Sequence, residues 1–398
     1  MNVAIFASAF HPHVGGVEEV VRQVANEYRK RGFGVIVITN RWPRSLPRFE
    51  VLDGIPIHRF ALRVPEGSLK ARINYRITHG FIRRKIIDIV RKHKADVLHV
   101  HCVSSNGFYA LLARRKLMLP LVVTTHGERT MDAGRIYQYS AFQNRVLREL
   151  LAEADHITAC SRETLNDVER YWGTAFGSRA TVVYSGIAPL DFENAAPYAN
   201  PRPYLLGMGR LVSQKGFDLL IEAFSKSGLK IDLLIAGEGP EREALERLVS
   251  TLGMERRVRL VGRADRPTVV SLFGGCRFFV MPSRQEPMGI VNLEAMVLGK
   301  AVIAPRVGGV PEIVVENETG LLVPCGNVSA LTQAMLRLDG DESLRLKLGA
   351  AGKARAQKFA WPEIAGQYLA IYGDIYSGRA NMASSRAAAI NLPEPEFR

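Results

Sequence analysis

The sequence has 398 residues, too many for one ordinary hydrophobic core, so we expect at least two domains. It is 47% apolar and 23% charged, close to the average for globular proteins, and contains no apolar stretch long enough to cross a bilayer. Its 53 lysines and arginines outnumber 39 acidic residues, and the net charge of +14 predicts an anionic partner: nucleic acid, a membrane or a phosphorylated small molecule.

The chain begins with a short apolar run that is not preceded by basic residues, so we predict a first strand rather than a signal peptide. Its four cysteines are scattered, with no CxxC pair and no histidines at zinc-binding spacing. This pattern predicts free thiols in a reducing, cytoplasmic compartment and no structural metal.

Short apolar runs alternate with helical patterns along the chain. The candidate strands lie at residues 3–7, 35–39, 97–101, 121–125, 157–160 and 181–184, and then at 204–208, 231–236, 258–261, 278–281, 301–304 and 320–323. Apolar residues recur at helical spacing between 17 and 28, and again between 219 and 224. Strand–helix alternation of this kind, occurring twice, predicts two doubly wound α/β domains with parallel sheets.

Composition suggests where these domains begin and end. We predict a first domain over residues 1–190, a linker rich in Pro, Asn and Ala over 191–203, and a second domain over 204–360. A helix over 361–377 and a flexible tail over 378–398 complete the chain. Two such domains joined once leave a deep cleft lined by the carboxyl ends of both sheets, where ligands bind.

Two first-domain motifs would face this cleft. Gly15 and Gly16 in HPHVGGVEEVV allow a tight turn and a close approach to a ligand, although a plain turn before a helix explains them equally well. His126 follows the strand at 121–125 and precedes Gly127. Many histidines are structural, but this position at the cleft edge favours a functional role.

The second domain carries cations at its first strand end. Arg210 follows the strand at 204–208, and Lys215 comes just before a helix, where the helix dipole disfavours a cation by roughly 0.3–1 kcal/mol. Two solvated loop cations are the simple explanation, yet an anion between them explains the placement better, and a diphosphate suits this pair. Glycines such as Gly237 end later strands, where ordinary turns also account for them.

The segment SRQEPMGIVNLEAMVLGK, residues 283–300, places Glu294 in an unexpected position. On a helix that begins near Gly289, Glu294 falls in the apolar arc, whereas Asn292 points to the opposite side. A carboxylate in that position needs a partner, which either the chain or a ligand must supply.

The segment from Lys70 to Lys94 is strongly basic, with nine basic residues and one acid, Asp88. It is amphipathic, which fits a crossover helix with a solvated basic face or an edge that docks on an anionic membrane. Interleaved aromatic residues are sparse, so we do not expect nucleic acid. Asp339-Gly340-Asp341 matches a DxD metal motif but lies between helical segments, away from any strand end, so we reject it as a metal site.

The motifs occur along nearly the whole chain in one order. They are Gly15-Gly16, His126, Gly209-Arg210 with Lys215-Gly216, Gly237-Glu238-Gly239-Pro240, Val261-Gly262, and a last segment with two glutamates separated by seven residues and a GG-PE turn. As an ordered set they resemble the retaining glycosyltransferase family 4, or glycosyltransferase group 1. The sequence departs from that pattern at Ser185, where the family often has Asn.

The resemblance implies the GT-B fold: two Rossmann-like domains facing each other across a cleft, with the last helix crossing back to the first domain. It also implies roles for single residues. Arg210 and Lys215 would hold the donor diphosphate, Glu294 the ribose, and Glu286 the transferred sugar, while His126 would reach the sugar from the other domain. The other donor-binding positions implied are Gly15, Gly16, Gly209, Gly237, Arg263, Met288, Gly289, Ile290 and Val291.

The function implied is transfer of a sugar from a UDP- or GDP-sugar to a glycan, a lipid-linked acceptor or a small molecule, with retention at the anomeric carbon. No cofactor and no metal are implied. The protein would lie in the cytoplasm, either free or on the inner face of the membrane. A nucleotide-sugar epimerase or a glycan phosphorylase on the same fold, and an anion-binding protein without turnover, are the alternatives.

Overall fold

The computed structural model describes residues 1–13, 15–131, 136–188 and 196–390, and only the backbone of 378–390. The described chain forms two α/β units, each built around its own sheet. The central strands of both sheets are buried apolar runs, as expected for parallel sheets that have helices on both faces.

The first sheet has eight strands in the order β3-β4-β2-β1-β5-β6-β7-β8, all parallel except for the β3–β4 hairpin. Its strands are β1 (Asn2–Ala7), β2 (Gly34–Asn40), β3 (Phe49–Leu52), β4 (Ile55–Phe60), β5 (Val97–His101), β6 (Leu121–Thr125), β7 (His156–Ala159) and β8 (Ala180–Val182). The second sheet has six parallel strands in the order β11-β10-β9-β12-β13-β14. They are β9 (Tyr204–Met208), β10 (Asp232–Ala236), β11 (Val258–Gly262), β12 (Phe278–Val280), β13 (Ala301–Pro305) and β14 (Gly320–Val323).

Helices cover both faces of each sheet. In the first half they are α1 (Gly16–Lys30), α2 (Leu69–Lys92), α3 (Ser105–Leu117), α4 (Ile136–Tyr139), α5 (Ala141–Glu153) and α6 (Arg162–Trp172). In the second half they are α7 (Phe217–Ser227), α8 (Arg242–Thr251), α9 (Arg266–Gly275), α10 (Ile290–Val297), α11 (Val310–Ile313), α12 (Val328–Gly340), α13 (Glu342–Ala356) and α14 (Trp361–Ile390).

The last helix, α14, crosses back from the second unit and completes the core of the first. Trp361, Ile364, Tyr368 and Tyr372 are buried in the same cluster as residues of β1 and α1. The Tyr372 hydroxyl lies 2.9 Å from that of Tyr28 on α1. The first unit is therefore incomplete without the C-terminal part of the chain.

All of the predicted strands are present, but two were missed. The strands β3 and β4 form a hairpin at the edge of the first sheet, and β3 is largely exposed, so its sequence lacks the apolar run of a buried strand. The signal that could have located the hairpin is Asp53-Gly54 between them, with φ of 51° and 72°, which is a typical pair for a two-residue hairpin turn.

The last helix extends beyond its predicted end at residue 377, while the flexibility of the tail stays a prediction. The α14 helix continues to Ile390, because residues 378–390 are rich in alanine and arginine, which favour helix, and contain no proline. Residues 391–398 lie outside the described part of the chain, as do 191–195 of the predicted linker. Residues 196–203 form no helix or strand and lie against α9, where the Ser271 carbonyl accepts a hydrogen bond from the Tyr198 N–H.

Docking of α14 predicts a difference between two tyrosines one helical turn apart. Tyr372 is 1% exposed and Tyr376 is 58% exposed. We expect Tyr372→Ala to lower the free energy of unfolding by about 3–5 kcal/mol through the cavity that it leaves, and Tyr376→Ala by less than about 0.5 kcal/mol. Urea unfolding of both variants tests this, and equal losses would show that α14 does not complete the core.

Candidate active site

Loops from the two units meet at the carboxyl ends of the sheets. Gly16, at the start of α1, faces Ile290 at the start of α10, so that a Cβ built at Gly16 would lie 3.8 Å from Ile290 Cδ1. Gly127, just after β6, packs against Pro287, which a Cβ would approach to 2.8 Å. The predicted motifs of both halves therefore line one cleft.

Two glycines in the second unit allow backbone approaches that no side chain would permit. Gly237 has φ of +149°, and a Cβ there would lie 1.8 Å from the Gly209 carbonyl oxygen. Gly308 has φ of +54°, and its Cβ would lie equally close to the Glu286 carbonyl oxygen. The Gly309 N–H donates to that same Glu286 oxygen at 3.2 Å. The GG-PE turn thus holds the backbone that carries Glu286.

Lys215 and Glu286 form an ion pair with an Nζ–Oε2 distance of 2.5 Å. The Ser283 hydroxyl donates to the same carboxylate oxygen at 3.1 Å, and Glu286 is buried. Lys215 lies in a single 3-10 turn, Ser213–Lys215, just before α7. The family resemblance implies that these two residues bind separate parts of a ligand, whereas in the structure they contact each other directly.

A second ion pair, which the sequence analysis missed, fixes the Lys215 loop. The Arg284 guanidinium contacts both carboxylate oxygens of Asp218 at 2.7 and 2.6 Å and also donates to the Ser213 carbonyl at 2.9 Å. Burial alone would raise the pKa of Asp218, but the hydrogen bonds and charge of Arg284 lower it below its usual value. The loops that carry Lys215 and Glu286 are therefore clamped together.

Glu294 has a protein partner. Its carboxylate lies 2.6 Å from Arg266 Nη1 at the start of α9. The predicted helix start at Gly289 is confirmed by α10, but the orientation assigned to Asn292 is wrong, because Asn292 is fully buried. A helical wheel uses only the sequence of α10, so it cannot show that α10 packs against the sheet on the Asn292 side. The position of Arg266 could have been inferred only from the strand order that places α9 beside α10.

The other predicted donor-binding residues differ in their surroundings. Arg210 and Arg263 are exposed, and the Arg210 guanidinium forms no hydrogen bond or ion pair with residues that the structure describes. Gly15 caps α1 and Gly289 caps α10, with Ile290 and Val291 in the first turn of α10. Met288 instead turns towards the first unit, where its Sδ accepts a hydrogen bond from the Ser185 N–H at 3.0 Å.

His126 comes from the first unit and is held by its neighbours. Its backbone N–H donates to Glu128 Oε2 at 2.6 Å, and the other oxygen of Glu128 accepts from the Val103 N–H at 2.7 Å. Its ring nitrogen Nε2 lies 3.1 Å from Nδ1 of His101. Burial lowers the pKa of His126 to about 4, so the ring is neutral near pH 7.

The first unit also contacts the second close to this site. The N–H groups of Arg162 and Glu163, at the start of α6, donate to the Glu312 carboxylate, and so does the Tyr184 hydroxyl. The Ser161 hydroxyl donates to the Pro287 carbonyl at 2.7 Å. These bonds connect the loops 286–288 and 308–312 to the first sheet.

The DxD motif lies away from this cleft. Asp341 caps α13 by accepting from the Leu344 N–H, and Asp339 forms an ion pair with Arg277. Within the described ranges, no three His, Cys, Asp or Glu side chains group in a way that could hold a metal ion. In the same part of the chain, no helix is both long enough and apolar enough to cross a bilayer.

The structure thus has two Rossmann-like units with facing carboxyl edges, cations and glycine turns on one wall and a histidine on the other. This is the GT-B class of glycosyltransferase. Residues 14–189 match the family model Glycosyltransferase Family 4, and residues 192–355 match Glycosyl transferases group 1. The chain belongs to this family of glycosyltransferases.

Individual relatives agree with this assignment. The chain is 30% identical over 308 residues to alpha-maltose-1-phosphate synthase of Mycolicibacterium smegmatis, covering 70% of this chain and 79% of that protein. It is 29% identical over 371 residues to phosphatidyl-myo-inositol mannosyltransferase of Mycobacterium leprae, covering 90% and 92%. The crystal structure of Anabaena HepE in complex with UDP-glucose has a TM-score of 0.74 at 19% identity and covers 94% and 99%.

The buried histidines predict that stability depends on pH. Burial lowers the pKa of His99 to about 3 and that of His126 to about 4, against about 6.5 in an unfolded chain. The unfolded chain therefore binds more protons between about pH 4 and 6.5, and stability falls as the pH falls through that window. We expect a slope of up to about 1.4 kcal/mol per pH unit for each histidine.

Urea unfolding at pH 7, 6 and 5 measures this slope. His126→Gln removes one titrating ring, so its slope should be shallower than that of the unmodified protein. An unfolding free energy that does not change between pH 7 and 5 would contradict the prediction.

Proposed function

We propose that the protein transfers a sugar from a nucleoside diphosphate sugar, UDP- or GDP-linked, to an acceptor hydroxyl with retention at the anomeric carbon. The observation that carries the proposal is the set of positive groups at the carboxyl edge of the second sheet. Arg210 is exposed there, Lys215 is partly buried in its pair with Glu286, and the N–H groups at the start of α10 follow Gly289. A diphosphate is the anion that suits an arginine fork, a lysine and a helix N-terminus together.

The chemistry that we propose breaks the bond between the anomeric carbon and the diphosphate oxygen. Negative charge then grows on the leaving diphosphate, and Arg210, Lys215 and the start of α10 neutralise it without a metal. Closure of the cleft excludes the water that would otherwise hydrolyse the donor. On the same face of the sugar, the leaving phosphate accepts the proton of the acceptor hydroxyl, which then bonds to the anomeric carbon.

The ion pair of Glu286 argues against a mechanism with a carboxylate nucleophile. A carboxylate bound to a lysine and a hydroxyl is stabilised as an anion and is a weaker nucleophile. Within our proposal, Glu286 instead accepts hydrogen bonds from the hydroxyls of the transferred sugar, and Glu294 accepts them from the ribose.

Removing either partner of the Lys215–Glu286 ion pair tests the proposed donor site. We expect Lys215→Ala and Glu286→Ala each to lower kcat/KM for transfer by about 10²–10³-fold, as seen when a group that stabilises transition-state charge is removed. Lys226→Ala removes the lysine of an exposed pair with Glu222 on α7 and serves as the matched control. Initial rates of transfer from UDP- and GDP-sugars, measured for the two site variants and the control, give these values of kcat/KM.

Two outcomes would contradict the proposal. If both site variants transfer sugar as fast as the control, the donor site lies elsewhere. If the unmodified protein epimerises the donor sugar without transferring it, the function is that of an epimerase.

We further propose that α2 rests on an anionic membrane surface and that the acceptor is lipid-linked. Leu69, Ile73, Ile77 and Phe81 follow one another at four-residue spacing on one face of α2, and each is between 49% and 75% exposed. Exposed basic side chains surround this apolar stripe, among them Arg76 and Arg84. An apolar stripe flanked by cations is typical of a helix that lies in a lipid interface.

A charge-reversal experiment tests this surface. Changing Arg83, Arg84 and Lys85 on α2 to Glu should weaken sedimentation with phosphatidylglycerol vesicles by at least about 10²-fold, at about 1 kcal/mol for each basic residue near the surface. The control changes the exposed Arg247, Arg256 and Lys353 of the second unit to Glu, with the same effect on net charge. Equal losses in both variants would show that net charge alone, rather than α2, governs binding.

A further inference from the structure

A continuous chain of buried polar groups runs from the cleft to the crossing helix α14. His126 Nε2 lies 3.1 Å from His101 Nδ1, and His101 Nε2 lies 3.2 Å from His99 Nδ1. The Tyr372 hydroxyl contacts the same Nδ1 of His99 and lies 2.9 Å from the Tyr28 hydroxyl. On the other side of the His99 ring, Nε2 lies 2.6 Å from the Thr124 hydroxyl.

Each ring in this chain carries one proton. Burial lowers the pKa of all three histidines, so each is a neutral imidazole with one donor and one acceptor nitrogen. His99 Nδ1 has two neighbours, Tyr372 and His101. As an acceptor it has one lone pair for both neighbours, and as a donor it would have one proton for both.

Tyr372 is the donor in its contact with His99, because a phenol hydroxyl is a stronger acid than an imidazole N–H and an imidazole nitrogen is the stronger acceptor. A lone pair on His101 Nε2 would then face the lone pair of His99 Nδ1, so the proton of His101 lies on Nε2. The Tyr28 hydroxyl donates to Tyr372, and the Tyr372 hydroxyl donates to His99 Nδ1. The His99 proton then lies on Nε2 and points to Thr124. His101 donates from Nε2 to His99, which leaves its Nδ1 as the acceptor for a proton on His126 Nε2.

We propose that Tyr372 is a positioning residue that, through His99 and His101, holds His126 in the tautomer protonated at Nε2. The Nδ1 of His126 is then a hydrogen-bond acceptor. Such a nitrogen binds a hydroxyl that donates a proton and cannot bind a phosphate oxygen, which only accepts. In the function proposed above, on which this step rests, His126 accordingly recognises a sugar hydroxyl and not the diphosphate.

The pair of variants Tyr372→Phe and Tyr28→Phe isolates the essential contact. Both remove the hydrogen bond between the two tyrosines, but only Tyr372→Phe removes the donor to His99. Tyr372→Phe should therefore lose more thermal stability than Tyr28→Phe, because it removes one more buried hydrogen bond. Only Tyr372→Phe should allow His126 to adopt both tautomers.

The tautomer is read directly from the ring-nitrogen resonances of protein labelled with nitrogen-15 histidine, with His126 identified by their loss in His126→Gln. We expect the Nε2–H form in the unmodified protein and in Tyr28→Phe, and a mixture of both forms in Tyr372→Phe. The value of kcat/KM should fall about tenfold in Tyr372→Phe, and by less than about twofold in Tyr28→Phe.

Two results would overturn the inference: a proton on Nδ1 of His126 in the unmodified protein, or the same His126 tautomer in Tyr372→Phe as in Tyr28→Phe. The first needs no variant, so it decides the matter even if Tyr372→Phe does not fold. If no sugar donor is turned over, the proposed function fails, while the resonances still test the role of Tyr372.

Discussion

The hydrogen bonds at the start of α6 are the constraint on which the cleft depends. A helix N-terminus leaves N–H groups without partners within the helix, and here the partner comes from the opposite unit, as the carboxylate of Glu312. A carboxylate is also the favourable charge for that end of a helix. The bond from Ser161 to the Pro287 carbonyl lies beside it. Together they fix how the second sheet faces the first.

These hydrogen bonds affect the candidate site directly, because Pro287 and the turn that ends at Glu312 lie next to Glu286. Pro287 follows Glu286, and Glu312 ends the GG-PE turn whose glycines pack on the Glu286 backbone. The segment that orients Glu286 towards Lys215 is thus the same one that contacts the first unit. A change in the angle between the units would therefore also move Glu286, so the pairing of Lys215 with Glu286 depends on how the cleft is closed.

The sequence alone was sufficient for the positions of twelve strands and for the alternation of strands with helices, because buried strands and the glycine turns after them leave a local signal. What it could not predict were the contacts between those residues. Glu294 was correctly expected to need a partner, but Arg266 could not be identified, since that contact depends on how α9 packs beside α10. The pair of Arg284 and Asp218, 66 residues apart, has no local signal at all.

These contacts share one electrostatic property. On the wall of the cleft formed by the second unit, Glu286 is paired with Lys215, Glu294 with Arg266, and Asp218 with Arg284. A diphosphate approaching three uncompensated carboxylates would be repelled, since like charges at a few ångströms cost several kcal/mol at the dielectric of a protein surface. With each carboxylate already neutralised, the exposed Arg210 and the start of α10 leave the wall positive overall. Under the proposed function, the acids can then hold the hydroxyl groups of the donor without repelling its diphosphate.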